Sequence, residues 1–272
     1  MTSPGISIII STYNQPKWLA LVLYGYSIQT VSDIEIVIAD DGSDERTQSV
    51  IKKFQETSHI PISHVWQEDD GFQKTKILNK AITASKSDYL IFTDGDCIPR
   101  KDFVETHLKL RRKGYALSGG YYKLIKSISD LITEEDIVSQ SCFNKEWLIS
   151  KGQPVTFKMN KLNASSFKAW FLNTFTTTKA TFDGMNVSCW KADVVNVNGF
   201  DERMQYGGED REVGERMANN GVKFLQVRYS AICVHLHHER PYKNAENEKR
   251  NKQIRALTKK NKSTYTEFGI KQ

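Results

Sequence analysis

Two carboxylates stand on either side of one glycine in the segment Asp94-Gly95-Asp96. The apolar run at 89–92 precedes them and predicts a buried strand, and open α/β sheets bind ligands at the carboxyl ends of their strands. Two hard oxygen ligands there suit Mg²⁺ or Mn²⁺ carrying a nucleotide diphosphate, because phosphate and water fill the remaining coordination positions. Asp-Gly is also a common turn dipeptide, so this segment alone is equally consistent with a surface turn.

A second acidic segment, Asp40-Asp41-Gly42, follows another predicted strand at 34–39. The β-branched run at 6–10 predicts a further strand, which ends in the small and polar residues Ser11-Thr12-Tyr13-Asn14. The carboxyl ends of parallel strands meet at one edge of a sheet, so we expect these polar ends to lie together. The repeated pattern favours a metal and ligand site over a turn.

Two more polar groups occur in the second half of the chain. In Tyr206-Gly207-Gly208-Glu209-Asp210 the glycines permit close backbone approach, and the acids open a predicted helix, where ordinary capping is the alternative. Three of the six histidines, His235, His237 and His238, follow a predicted strand at 231–234. Clustered histidines after a strand indicate a metal ligand or a phosphate contact, whereas a single histidine is more often structural.

The elements that must position these residues alternate between strand and helix. Apolar residues at helical spacing predict helices at 18–29, 45–56, 73–84 and 102–113. The alternation predicts an α/β fold with a mostly parallel sheet flanked by helices. Residues 127–181 have a weaker pattern with aromatic anchors, and an insertion there is well placed to shape a substrate site.

The composition is that of a globular protein, since the 272 residues are 39% hydrophobic and 26% charged. The chain has no run of 18 apolar residues, no charged leader and no Cys-x-x-Cys pair, so we expect a cytoplasmic protein with reduced thiols. Residues 240–262 contain nine Lys or Arg and two Glu, which concentrates the net charge of +6 there. Such a segment can contact anionic lipid or nucleic acid, although a solvated helix face is the commoner outcome.

Taken in order, these segments resemble the inverting GT-A glycosyltransferases of family 2. Within that family the chain looks most like bacterial chondroitin-polymerase domains with a galactosyltransferase-like C-terminal motif. The resemblance covers roughly residues 6–241 and leaves out much of 125–180. The matching segments are Ser11-Thr12-Tyr13-Asn14, Ala39-Asp40-Asp41-Gly42-Ser43, Asp70-Gly71-Phe72, Leu78-Asn79-Lys80-Ala81, Thr93-Asp94-Gly95-Asp96, Gly199-Phe200-Asp201-Glu202, Tyr206-Gly207-Gly208-Glu209-Asp210 and the histidine cluster.

The resemblance implies one GT-A domain at 1–241, with a nucleotide-binding half at 1–100 and an acceptor-binding half at 101–241, and a basic helical tail at 242–272. It implies an inverting hexosyltransferase that moves a sugar from a UDP-sugar to a hydroxyl of a glycan or lipid-linked glycan, for polysaccharide, lipopolysaccharide or capsule synthesis. The implied cofactor is a divalent metal, Mn²⁺ or Mg²⁺. Peripheral contact with the inner face of the membrane through the tail is a further expectation, and no nucleic acid is expected as a partner.

The same resemblance implies roles for individual residues. Asp210 is the implied general base and Glu209 holds acceptor hydroxyls. Asp96 binds the metal directly, and Asp94 lies against the ribose or the metal. The residues implied at the donor, with Asp41 on the uracil, are Ser11, Thr12, Tyr13, Asn14, Asp41, Gly71, Phe72, Lys76, Asn79, Thr93, Asp94 and Gly95. Those implied at the acceptor are Tyr206, Gly207 and Gly208, with tyrosine where the family usually has tryptophan.

A histidine is implied as the third metal ligand, and two positions compete for that role. His235 is favoured because it directly follows the predicted strand. His237 is the rival, because His237-His238-Glu239-Arg240-Pro241 can be aligned with the chondroitin-type His-Gln-Glu-Pro-Pro pattern.

Three other functions are open from the sequence. A nucleotidyltransferase of similar fold normally has a Gly-rich loop with Lys or Arg after its first strand, and Ser11-Thr12-Tyr13-Asn14 is not such a loop. A non-catalytic module that binds a UDP-sugar predicts binding without turnover. Nucleic-acid binding through the tail predicts strongly salt-dependent affinity, but nothing in the rest of the chain supports it.

Overall fold

Ten strands form two sheets within residues 4–239 and 244–271, which are the residues that this computed structural model describes. The strands are β1 Ile6–Thr12, β2 Ile34–Asp40, β3 Ile62–Trp66, β4 Tyr89–Asp94, β5 Cys97–Pro99, β6 Tyr115–Ser118, β7 Gly120–Lys123, β8 Asn186–Trp190, β9 Lys223–Gln226 and β10 Ile232–His235. The larger sheet has the order β3-β2-β1-β4-β8-β6-β9, and the smaller has the order β5-β10-β7.

Eleven α-helices occur among the same residues. They are α1 Pro16–Ser27, α2 Glu45–Thr57, α3 Lys74–Ala84, α4 Phe103–Leu110, α5 Lys126–Leu131, α6 Glu134–Val138, α7 Lys145–Ser150, α8 Ser166–Phe175, α9 Lys191–Asn196, α10 Glu209–Asn219 and α11 Ala245–Asn261. Short 3₁₀ helices lie at Ser141–Phe143 and Phe157–Lys161. Several helices of 127–181 are thus short, because that segment has no long run of apolar residues at helical spacing.

Parallel pairing dominates the larger sheet. β1 pairs in parallel with β2 and β4, in a register that sets Ser11 opposite Asp94 and Thr12 opposite Asp40. β8 is antiparallel to both of its neighbours, and β6 pairs in parallel with β9. Every residue of β1 and β2 is buried, as expected for parallel strands covered by helices on both faces. The predicted α/β fold with a mostly parallel sheet is confirmed.

Side chains of β1 alternate between two buried clusters, one on each face of the sheet. Ile8 and Ile10 pack in the cluster that contains Leu19 of α1, whereas Ile9 packs in the cluster that contains Ile77 of α3. The helices that precede and follow the acidic strand ends are therefore fixed to the sheet by buried apolar contacts. This anchoring holds the polar strand ends in defined positions.

The smaller sheet brings the histidine segment to the acidic edge. β10 runs antiparallel to β5 with His235 opposite Cys97, and the backbone N–H of Leu236 donates to the carbonyl of Asp96 at 2.9 Å. β10 also pairs in parallel with β7. The segment after Asp96 and the segment after β10 are consequently held side by side, although 140 positions separate them in the chain.

The C-terminal helix α11 packs on the domain. The side-chain amide of Asn251, which is fully buried, donates to the backbone carbonyls of Gln205, Tyr206 and Gly207 at 2.9, 3.3 and 3.1 Å. Arg255 forms an ion pair with Glu215 of α10 at 2.6 Å. The helix expected in the basic segment at 242–272 occurs at Ala245–Asn261 and contacts the domain, while the predicted boundary after residue 241 lies outside the described residues. Polar contacts fix this helix, so hydrophobic patterning does not reveal its packing.

We expect Asn251→Ala to lower the free energy of unfolding by about 1–3 kcal/mol, because buried carbonyls lose their donor. Chemical denaturation measures this loss. The exposed neighbour Lys252 provides a matched control, and Lys252→Ala should change stability by less than about 0.5 kcal/mol. Equal losses in the two variants would contradict the role given to Asn251.

Candidate active site

A cavity of about 760 Å³ opens where β1, β2 and β4 end and where α10 begins. The predicted residues that line it are Ser11, Thr12, Tyr13, Asn14, Asp41, Gly71, Phe72, Asp94, Gly95, Asp96, Tyr206, Gly207, Gly208, Glu209, Asp210 and His235. The structure therefore brings the acidic strand ends, the Gly-Gly-Glu-Asp segment and one predicted histidine to a single site.

Asp41 lies buried at one end of this cavity. Its carboxylate accepts hydrogen bonds from the side-chain amide of Gln67 at 2.6 Å and from the backbone N–H of Gln73 at 2.9 Å. Burial raises the pKa of Asp41 to about 6, although both hydrogen bonds lower it. Nearby, the half-exposed Tyr13 donates its hydroxyl proton to Asp69 at 2.8 Å. This end offers a fixed carboxyl and an accessible aromatic ring, which suits a base and its ribose.

Asn14 shapes the loop that closes this end. Its backbone has a φ of 48°, a conformation that asparagine tolerates better than most residues. The Asn14 backbone N–H donates to the Ser43 hydroxyl at 2.9 Å, and its side-chain oxygen accepts from the Asp44 N–H at 2.8 Å. Asn14 therefore ties the end of β1 to the turn after β2.

Asp94 is held by two donors. The hydroxyl of Ser11 and the ammonium of Lys74 both donate to its Oδ1 at 2.6 Å. Burial is the largest single effect and raises the pKa of Asp94, but the charge of Lys74 and the hydrogen bonds from Lys74 and Ser11 together outweigh burial, so the pKa is lowered. Asp94 therefore stays ionised in the site.

Lys74 connects this carboxylate with the acids of α10. Burial is the largest single effect and lowers the pKa of Lys74, but the neighbouring carboxylates together outweigh burial and the pKa is raised. The charge of Asp94 contributes most to this increase. The charges of Glu209 and Asp210 raise it further. A positive charge therefore stands between the two acidic groups of the cavity.

Asp96 faces two histidines across the edge of the smaller sheet. Its Oδ2 lies 3.2 Å from Nε2 of His238 and 3.8 Å from Nε2 of His235. One carboxylate with two imidazoles suits a divalent transition metal better than Mg²⁺, so of the two implied cations the residues present fit Mn²⁺. The Cys97 sulfur also lies close to Asp96 and His235. Burial raises the pKa of this thiol, so it stays protonated and is a weaker candidate ligand.

The predicted rival ligand, His237, is placed elsewhere. It is exposed, it does not line the cavity, and its backbone N–H donates to the hydroxyl of Ser129 at 2.8 Å. His238, which the sequence did not single out as a ligand, occupies the position next to Asp96. The chain leaves the strand after His235, so the alternation of side chains along β10 does not continue to His237. Of the pattern aligned with His237, Arg240 and Pro241 lie outside the described residues.

We expect His235→Ala and His238→Ala each to weaken Mn²⁺ binding by roughly 10–100-fold, because each removes a nitrogen donor next to Asp96. His237→Ala is the matched control and should leave Mn²⁺ affinity unchanged. Titration calorimetry with Mn²⁺ in the presence of UDP measures all three. Loss of affinity in the His237 variant alone would return that residue to the metal site.

Glu209 and Asp210 form the opposite wall, at the first turn of α10. Gly207 and Gly208 precede them with φ values of 114° and 91°, which only glycine adopts readily, and the Gly207 N–H donates to Glu209 at 2.9 Å. Asp210 accepts hydrogen bonds from the backbone N–H groups of Gly184 at 3.2 Å and Arg211 at 2.7 Å. Burial, and then the charge of Asp210, raise the pKa of Glu209 to about 7.

Two aromatic side chains also line the cavity. The rings of Phe72 and Tyr206 meet edge to face with 5.7 Å between centroids, and both residues line the cavity. Gly71 precedes Phe72 with a φ of 70°. Such a pair provides an apolar surface on which a sugar ring can stack.

Three predicted donor residues lie outside the lining of the cavity. Thr93 is buried in β4, where its hydroxyl donates to the carbonyl of Met185 at 3.2 Å. Asn79 is also buried, and its side-chain amide donates to the carbonyl of Phe200 at 2.9 Å. Lys76 is half-buried and does not line the cavity, whereas Lys74, two positions earlier, does. Lys74, Ile77 and Leu78 all line the cavity at i, i+3 and i+4, which is the helical signal that identifies Lys74.

A model of glycosyl transferase family 2 matches residues 7–168. The chain belongs to this family. A second model, the N-terminal domain of galactosyltransferase, matches residues 172–239. The predicted family and the galactosyltransferase-like C-terminal motif are both confirmed.

The chain is similar to parts of longer enzymes. It is 30% identical over 253 residues to the chondroitin synthase of Escherichia coli, covering 85% of this chain and 34% of that protein. It is 25% identical over 256 residues to the validoxylamine A glucosyltransferase of Streptomyces hygroscopicus subsp. jinggangensis, covering 88% of this chain and 57% of that enzyme. The chain thus spans between about a third and somewhat over half of these relatives.

Solved structures share the fold. The Staphylococcus aureus TarS 1–349 structure in complex with UDP-GlcNAc has a TM-score of 0.63 at 15% identity, covering 94% of this chain and 69% of that chain. The mannosyltransferase PcManGT from Pyrobaculum calidifontis, in complex with GDP-Man and Mn²⁺, has a TM-score of 0.59 at 18% identity, covering 89% of this chain and 59% of that one. These neighbours are GT-A glycosyltransferases, so the predicted GT-A fold is confirmed.

None of the helices in the described residues has both the length and the apolar character needed to cross a bilayer.

Proposed function

We propose that this domain is a metal-dependent, inverting glycosyltransferase that moves a sugar from a UDP-sugar to a hydroxyl of a glycan. The observation that carries the proposal is the pairing of two acidic groups across one cavity. Asp94 and Asp96 line the cavity at the end of β4, and Glu209 and Asp210 line it at the start of α10. A nucleotide-binding site alone needs only the first group, whereas transfer to a hydroxyl also needs a base.

The donor is proposed to bind at the strand ends. Asp41 receives the uracil N–H, and the ring of Tyr13 packs against the base or ribose. When bound by Asp96, His235 and His238, the cation supplies Lewis-acid neutralisation of the departing phosphates. Lys74 adds a second positive charge beside Asp94. The negative charge of the leaving diphosphate is therefore proposed to be stabilised by both the cation and Lys74.

Proton transfer is proposed to take place at Asp210. A carboxylate within hydrogen-bond reach accepts the proton of the acceptor hydroxyl as its oxygen attacks the anomeric carbon. As this bond forms, the bond from the anomeric carbon to the diphosphate breaks on the opposite face and the diphosphate leaves with the electron pair, so the configuration inverts. Glu209 is proposed to orient the acceptor hydroxyls, and Tyr206 with Phe72 supports the sugar ring.

The comparisons support UDP as the nucleotide, since one structural neighbour is a complex with UDP-GlcNAc and one relative is a chondroitin synthase. GDP is the competing possibility because another neighbour holds GDP-Man. A glycan or lipid-linked glycan is the proposed acceptor, within polysaccharide, lipopolysaccharide or capsule synthesis.

The proposal is tested directly by incubating the protein with Mn²⁺ and each of a panel of UDP-sugars, and by measuring the release of UDP. We expect release of UDP from one UDP-sugar, loss of that release with a chelator, and no release from GDP-mannose. Binding of UDP-sugars without release of UDP, whichever acceptor is added, would instead support a non-catalytic binding module. Formation of a UDP-sugar from UTP and a sugar phosphate would support a nucleotidyltransferase.

A further inference from the structure

Helix α8 turns its aromatic side chains toward solvent. Phe167, Trp170, Phe171 and Phe175 are 74%, 59%, 47% and 65% exposed, whereas the small Ala169 is 4% exposed. Positions 167, 170, 171 and 175 lie on one side of a helix. The helix therefore has the reverse of the pattern that buries an apolar stripe in the core.

Polar contacts fix this orientation. The side-chain oxygen of Asn173 accepts from the backbone N–H of Tyr229 at 3.0 Å, and its amide donates to the hydroxyl of Ser230 at 3.0 Å. Asn173 thus faces the domain, and the aromatic residues face away from it. Rotating the helix to bury the rings would break both hydrogen bonds.

The exposed aromatic surface continues into the preceding 3₁₀ helix. Phe157 is 71% exposed, and Lys168 of α8 donates to Asn160 at 3.0 Å, which in turn donates to the carbonyl of Phe157 at 3.0 Å. We call the side chains of Phe157, Phe167, Trp170, Phe171 and Phe175 the aromatic face. Within it the rings of Phe171 and Phe175 lie 4.7 Å apart and those of Phe167 and Trp170 lie 5.9 Å apart.

The stretch of sequence that contains the aromatic face carries charge of one sign. Residues 147–182 contain five lysines and no Asp or Glu. Lys161 is buried and donates to the carbonyl of Tyr121 at 2.9 Å, while the other four are exposed. The four exposed lysines are Lys151, Lys158, Lys168 and Lys179. Exposed aromatics flanked by lysines on a helix with this asymmetry are typical of helices that lie in a membrane interface.

We propose that the aromatic face is a docking surface for a membrane that contains anionic lipids. Phenylalanine and tryptophan rings gain from leaving water for the acyl boundary, and each lysine near the surface is attracted to the negative lipid headgroups. The basic helix α11 is less suited to this role. It has one large exposed apolar residue, Leu257, and Arg255 and Lys259 face Glu215.

The docking surface extends the proposed function without depending on it. If the acceptor is lipid-linked, as that function allows, the aromatic face brings the enzyme to the surface where its acceptor lies. Vesicle binding is measured without any sugar donor, so failure of one proposal is distinguishable from failure of the other.

The test is co-sedimentation with vesicles of phosphatidylcholine alone or with about a third phosphatidylglycerol, a fraction typical of an anionic bilayer surface. We expect the wild-type protein to bind the mixed vesicles and not the neutral ones. The double variant Trp170→Ser/Phe171→Ser should bind the mixed vesicles at least about tenfold more weakly, because two rings no longer enter the interface. Tryptophan emission of the wild type should shift to the blue on binding, and the double variant should lose this shift.

Two matched controls complete the design. Leu257→Ser removes an exposed apolar residue from α11, and Lys249→Ser/Lys252→Ser removes two of its charges; neither should change binding beyond about twofold, since α11 has no aromatic face. Circular dichroism should be unchanged in the aromatic variant because both side chains are exposed.

Three outcomes overturn the proposal. They are equal binding by the wild type and the aromatic variant, loss of binding only in the α11 variants, and no vesicle binding by a wild-type dimer that the aromatic variant converts to a monomer. The last outcome would assign the aromatic face to a contact between two copies of this chain.

Discussion

Replacing Asp210 with asparagine is expected to slow sugar transfer by about 10²–10⁴-fold, because the variant loses the carboxylate that is proposed to accept the proton of the acceptor hydroxyl. The affinity for UDP should stay within about twofold, since Asp210 lies on the wall opposite the strand ends that are proposed to bind the nucleotide. Asparagine has the shape of aspartate, but Gly184 and Arg211 donate to different oxygens of Asp210, so the single amide oxygen of asparagine keeps one of these two backbone hydrogen bonds. Steady-state rates and UDP titration together measure this separation.

Two further variants show whether the effect is specific to Asp210. Glu146→Gln changes an exposed acid of α7 outside the cavity and should leave both rate and affinity unchanged. Glu209→Gln should raise the KM for the acceptor more than it lowers kcat, if Glu209 orients acceptor hydroxyls. Full turnover by the Asp210 variant would remove Asp210 from the role of base.

Replacing Asp96 with asparagine is expected to abolish the dependence of UDP affinity on Mn²⁺. Asp96 is the carboxylate that faces both His235 and His238, so its loss removes the anionic ligand of the proposed cation. The affinity of the variant in Mn²⁺ should fall to the value that the wild type shows with a chelator, a loss of at least about tenfold. UDP titration with and without Mn²⁺ measures both values.

Asp70→Asn is a matched control, because Asp70 is an exposed acid near the same end of the sheet and does not line the cavity. Its UDP affinity should retain the full response to Mn²⁺. A response to Mn²⁺ that persists in the Asp96 variant would place the cation on other residues.

The acidic edge of the sheet could be predicted from the sequence because its geometry follows from local rules. Buried runs at 6–10, 34–39 and 89–92 each form a parallel strand, and parallel strands carry their terminal residues to one edge. The position of Asp94 beside Ser11 is a consequence of that register.

Side chains beyond the ends of regular elements could not be predicted in the same way. His237 and His238 differ by one position after β10 ends, and the direction of each side chain depends on the backbone path, which the hydrogen bond from Leu236 to Asp96 sets. Lys74 and Lys76 stand on different sides of α3, so the choice between them depends on where that helix begins. The packing of α11 depends on one buried amide, Asn251, which hydrophobic patterning does not register.

The hydrogen bonds from Asn251 to the carbonyls of Gln205, Tyr206 and Gly207 also have a consequence for folding during synthesis. The strand ends that hold Asp41, Asp94 and Asp96 belong to the first hundred residues, which leave the ribosome early. The loop before Glu209 obtains its buried donor only when residue 251, more than 40 positions downstream, has been synthesised. During synthesis, the strand ends proposed to bind the nucleotide therefore emerge before the residue that secures the loop preceding the proposed base.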